Sequence, residues 1–91
     1  MSNSQEHNGW STYATWRVHL EIFDGVDPAD LFPGVTDLYD LSDALKYYAS
    51  EHIEETSSGC ARDWALAFLS DVNFHQIARH MRDAYPIEDA A

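Results

Sequence analysis

The sequence predicts a mostly α-helical protein, a single compact domain of four to five short helices with a minor strand near residues 16–22 as the open alternative. Apolar residues recur three and four apart over most of the chain after Asp37, the period of a helix with one buried face. Helix-start and helix-stop residues punctuate these stretches: Asp27-Pro28, Asp37, Ser58 and Asn73 at the starts, and Gly25, Pro33-Gly34 and Pro86 at the ends. With 91 residues there is room for one core only, and a hydrophobic fraction of 45% with three Trp, five Tyr and four Phe excludes a disordered acidic chain.

Residues 1–8 are polar and expected to be mobile, 9–86 form the helical domain, and 87–91 are a C-terminal tail. Ser11 or Thr12 caps a first helix, with Tyr13, Trp16, Leu20 and Phe23 at helical spacing. The same stretch alternates as Trp16, Val18, Leu20 and Ile22, which is the strand alternative. Gly25 ends it. Asp27 caps a short turn with Pro28 at its first position, running to Leu31 or Phe32 before Pro33-Gly34 breaks it. From Asp37 or Asp40 to about Thr56 a long acidic amphipathic helix follows, apolar at Leu41, Ala44, Leu45, Tyr48, Ala49 and Ile53. Ser58 opens the next, with Ala61, Trp64, Ala65, Phe68 and Leu69 as its expected buried face. Asn73 and Gln76 form a capping-box pair opening the last helix, whose face is Phe74, Ile77, Ala78, Met81 and Tyr85 before Pro86 stops it.

Charge is the strongest functional signal. The chain has sixteen Asp and Glu against five Lys and Arg, a formal net charge of −11. Ten of those acids, Glu21, Asp24, Asp27, Asp30, Asp37, Asp40, Asp43, Glu51, Glu54 and Glu55, fall in one stretch whose only base is Lys46. Most recur every three residues, so they are expected to form a carboxylate ribbon. Like charges three or four apart on a helix repel by roughly 0.2–0.5 kcal/mol per pair, which opposes folding until a cationic partner relieves it. A dense ribbon of negative charge imitates the phosphates of a nucleic acid, which B-DNA spaces at about one charge per 1.7 Å of axis. These ten residues are therefore the expected partner-binding set, acting as phosphate surrogates toward Lys and Arg of a DNA-binding groove. The plainer alternative is that the charge serves solubility. The surface is expected to be repelled by free nucleic acid and by anionic membranes, so partners should be basic proteins.

Cys60 is the only cysteine and allows no intramolecular disulfide, in keeping with a reducing cytoplasm. The first eight residues lack the basic start and apolar run of a signal peptide, and no apolar run reaches membrane-spanning length.

At Asn8-Gly9-Trp10-Ser11-Thr12-Tyr13-Ala14-Thr15-Trp16 the chain resembles a family of small proteins from phages and bacterial mobile elements that open Asn-Gly-Trp-x-x-Tyr-x-Thr-Trp. The resemblance returns at Val72-Asn73-Phe74-His75-Gln76-Ile77-Ala78, where the family has Val-Asn-Trp-x-Glu-Ile-Ala; Phe74 stands for the usual Trp and Gln76 for the usual Glu. The acidic middle lies outside the shared pattern. What the resemblance implies is a setting, genes on mobile DNA that must survive bacterial defences. It suggests an anti-CRISPR protein that meets a basic DNA-binding subunit of a type I surveillance complex in the bacterial host cytoplasm.

Other chemistry finds little support in the residues. His7, His19, His52, His75 and His80 include no His-x3-His pair and Cys60 has no neighbouring Cys, so no metal site is expected. There is no glycine-rich phosphate loop and no serine or cysteine in a nucleophile context, and neither an enzyme nor a cofactor is expected. Trp10, Tyr13 and Trp16, like Trp64 and Phe68, fit core stripes better than a stacking platform, although an aromatic patch binding another host factor is the runner-up function. Arg79, His80 and Arg82 on the last helix could belong to a helix-turn-helix reader, but they are too few to hold DNA against this net charge, and the arginines are expected to pair with carboxylates.

Overall fold

A computed structural model describes residues 9–86. Among them five α-helices follow one another: α1 Tyr13–Val18, α2 Pro28–Leu31, α3 Leu38–Thr56, α4 Gly59–Leu69 and α5 Phe74–Ala84, with a π-helical turn His19–Phe23 continuing α1. No strand forms among the described residues, so the strand alternative at 16–22 is replaced by helix. The expectations for residues 1–8 and 87–91 lie outside the described residues. At 20 Å in its thinnest dimension the molecule is about two helix layers deep.

Helix starts follow the caps. Thr12 accepts from the Thr15 amide, Asp27 from Ala29, Asp37 from Asp40 and Asn73 from Gln76, each at 2.9–3.1 Å. Ser58 holds the cap position of α4, but its hydroxyl makes no capping bond. The core is built mainly where α3 lies against α5. Leu41, Leu45 and Ala49 from α3 meet Ile77, Ala78 and Met81 from α5, with Phe23, Val18, Trp10, Leu69 and Phe74 closing the ends.

The π turn decides the register of the first element. Ala14, Thr15 and Val18 point inward from α1, and a regular helix would next bury Ile22. The wider turn instead returns Phe23, five residues after Val18, to the core at 1% exposure, while Ile22 is half-buried. Gly25 then leaves the helix at φ 76°, a conformation that a side chain would strain. The inward face of this segment is thus rotated from the expected Tyr13, Trp16, Leu20, Phe23 stripe: Tyr13 and Leu20 are exposed, Trp16 is half-buried, and only Phe23 is in the core.

The expected face of α4 also needs correction. Leu69 is buried and Ala65 half-buried, but Ala61 and Phe68 are exposed and Trp64 is 73% exposed. α4 meets α3 and α1 along the edge carrying Ala65, Leu66 and Leu69, and nothing among the described residues covers its other side. In α3 and α5 the expected faces are largely found, except that Tyr48 is partly exposed and Tyr85 half-buried.

The two end segments meet in space. Gln76 accepts from the Ser11 amide at 2.9 Å and donates to the Gly9 carbonyl, so its side chain anchors the segment before α1 to α5 instead of completing a capping box. Thr12 donates to the Asp71 carbonyl at 2.9 Å, and the Asn73 amide donates to the buried Thr15 hydroxyl at 2.8 Å. Gly9, Ser11, Thr12 and Thr15 are thereby clasped to Asp71, Asn73 and Gln76.

Candidate functional site

α3 is 19 residues long and presents two opposed faces. At 100° per residue, Asp40, Asp43, Tyr47, Glu51 and Glu54 fall within about 80° of arc, centred about 160° from the Leu41–Leu45–Ala49 core stripe. They form a ridge about 21 Å long on the side turned from the core. Asp40, Asp43 and Glu54 are exposed and Glu51 half-buried. Tyr47, 67% exposed on the same ridge, is a site residue that charge patterning does not find; its signal is its place four residues from both Asp43 and Glu51. The Tyr47 hydroxyl is hydrogen-bonded to Glu51, and this bond, the Glu51 charge and the nearby Glu54 charge raise its pKa from the ordinary 10.0.

The remaining acids serve in other places. Asp37 is the α3 cap and Asp27 the α2 cap. Glu21 is paired with Arg17 across one turn of helix. Asp24 lies by His19 in a cleft that includes His80 and Tyr85, and Asp27 lines a separate groove with Arg82. Asp30 is exposed in the first turn of α2, and Glu55 borders a cleft of about 330 Å³ with Phe32, Tyr48, Glu51 and His52. The ten acids thus divide into four on an α3 ridge and six dispersed carboxylates, of which Glu21, Asp24, Asp27 and Asp37 interact locally.

Lys46, exposed and three residues after Asp43, flanks the ridge but makes no ion pair with it. Among the described residues the ion pairs are Arg17–Glu21 and Arg62–Asp63, neither of which touches it. Arg82, expected to pair with a carboxylate, instead donates to the Val35 carbonyl at 2.9 Å and pins the loop before α3 to α5.

An open groove of about 560 Å³ runs between α1, α3 and α4. Tyr13, Val18, Ile22, Ile53, Trp64, Phe68 and Leu69 line it, with Arg17, Glu21 and His52 at its margin. This is the exposed aromatic surface that helical spacing assigned to the core. Elsewhere, Trp10 stacks on His19 with ring centroids 4.7 Å apart, and His80 lies 4.7 Å from His19. Burial first, and then the neighbouring His80, lower the His19 pKa, with Asp24 opposing. Among the described residues no three His, Cys, Asp or Glu gather as a metal site, and no helix is long and apolar enough to cross a membrane.

No protein-family model, curated protein or solved structure matches this chain.

Proposed function

We propose that the protein is an acidic DNA-mimic inhibitor of a bacterial defence complex, an anti-CRISPR protein acting in the host cytoplasm, and that the α3 ridge is its principal contact. The observation that carries this reading is a row of carboxylates without ion pairs among the described residues, on a long helix packed against the core. Asp40, Asp43, Glu51 and Glu54 place four charges along a ridge about 21 Å long, two pairs about 4.5 Å apart separated by about 12 Å, a mean spacing of about 7 Å or roughly twice the 3.4 Å along a single DNA strand. A groove lined with Lys and Arg would recognise that charge density, and the inhibitor would occupy it in place of DNA. The core contacts of Leu41, Leu45 and Ala49 hold the helix in place, so little ordering has to accompany binding. The chemistry is competition by charge and requires neither a cofactor nor a catalytic group.

The test is charge reversal on the ridge alone. Asp40, Asp43 and Glu54 changed together to Lys should abolish inhibition of DNA binding by the target complex while helix content and melting stay close to those of the parent, because exposed charges contribute little to folding. Full inhibition by that folded variant would sink the proposal. A second reading is favoured by the 73% exposure of Trp64: a host factor bound through the α4 aromatics, with the charge serving solubility. Salt separates the two, since an ion-paired interface weakens steeply with ionic strength and an apolar one does not.

A further inference from the structure

Five residues of α4 are exposed on one side: Cys60, Ala61, Trp64, Ala67 and Phe68. They lie at −4, −3, 0, +3 and +4 about Trp64, all within about 60° of its direction. The spacing is symmetric about Trp64. A two-fold axis through Trp64 in an antiparallel helix pair sets Phe68 against Cys60 and Ala61 against Ala67, and brings the two indoles together across the axis. Self-complementarity of this kind is what a two-fold interface requires of one surface patch.

Charge points the same way. The molecule carries −11, yet the stretch from Thr56 to Ser70 holds only Arg62 and Asp63, which pair with each other. Two copies repel through the α3 ridge and meet without net charge on α4.

The area sets the strength. An aromatic side chain carries roughly 150–250 Å². At 73% exposure for Trp64, 41% for Phe68 and 46% for the adjoining Tyr13, the aromatics offer more than half of the patch. With the two alanines and Cys60 each copy presents on the order of 450 Å², so a pair buries at most about 900 Å², below the roughly 1,200 Å² of stable specific interfaces and in the range of weak, transient ones. We infer that this α4 face is the interface of a weak, concentration-dependent homodimer in which two α4 helices pack antiparallel about Trp64. The inference does not depend on what the α3 ridge binds.

Sedimentation of the full chain from about 1 µM to about 1 mM tests it. The expected result is a monomer shifting to a dimer across that range, with tighter association in high salt because screening relieves the repulsion between two chains of −11. Trp64→Glu should remain monomeric throughout with an unchanged helical spectrum, since its side chain leaves no hole in the core. Tyr39→Ala, at a 72% exposed aromatic on α3, should dimerise as the parent does. Dimerisation undiminished in Trp64→Glu, or lost equally in Tyr39→Ala, overturns the placement on α4. A parent chain that stays monomeric under all these conditions overturns the dimer itself. The groove then belongs to the chain's own first eight residues if their removal shifts the assigned indole N–H resonance of Trp64, and to a different protein if it does not.

Discussion

Thr15 is fully buried and polar, and its hydroxyl is hydrogen-bonded to Thr12 while accepting from the Asn73 amide. Thr15→Val keeps the shape and strands that amide, so it should cost about 1–3 kcal/mol by urea unfolding, and Thr15→Ser much less. Gln76→Ala should cost a similar amount, because it releases the Ser11 amide and the Gly9 carbonyl together. His19 makes the fold sensitive to pH. Its folded pKa lies below the ordinary 6.5, so in that interval the unfolded chain holds a proton that the folded chain does not. Stability from this group is full above 6.5 and is lost as the pH falls through the lowered folded value. Melting followed between neutral and mildly acidic pH should fall less steeply in His19→Gln than in the parent.

Within α3, acids of the same type have different physical roles. Asp37 caps the helix, and Asp37→Ala should cost about 0.5–2 kcal/mol. Asp40→Ala and Asp43→Ala remove exposed like charges and should change stability by less than about 0.5 kcal/mol. Equal losses at all three positions would contradict the division between cap and ridge. The aromatics divide in the same manner. Trp10, at 9% exposure, should cost about 3–5 kcal/mol on truncation to Ala, whereas Trp64→Ala should cost less than about 1 kcal/mol. Chemical denaturation of the two variants checks this directly.

Over the whole molecule, the charge of −11 is a destabilising self-repulsion concentrated along α3. Raising salt from about 10 mM, where the screening length is about 30 Å, to about 1 M, where it is about 3 Å, should raise the melting temperature of the free protein. Salt should meanwhile weaken inhibition by the α3 ridge and strengthen association through α4. These opposite signs let one variable report on two faces. The exposure of the acids on α3 was legible, because an unpaired charge is too costly to bury and a row of acids at helical spacing must lie outside. Their division was less legible, since whether Asp24 lies near His19 or Glu21 near Arg17 depends on how the first segment turns.

The sequence by itself determined α2 to α5, the Asp27, Asp37 and Asn73 caps and the exposed acidic side of α3, because these follow from interactions among residues a few positions apart: the Asp37 cap, the Leu41–Leu45–Ala49 spacing, the stop at Pro86. Only the tertiary structure decided which side of α4 turned inward, where the π turn fell and that the segment before α1 is clasped to the start of α5. Apolar spacing names a face that is able to be buried, but burial needs a neighbour, and a core shared mainly by α3 and α5 is too small to cover both sides of α4. Trp64 is left outside for that reason, while Phe23 is drawn in by an extra residue in its turn and Gln76 reaches back to Gly9 across a distance in sequence that no local pattern encodes.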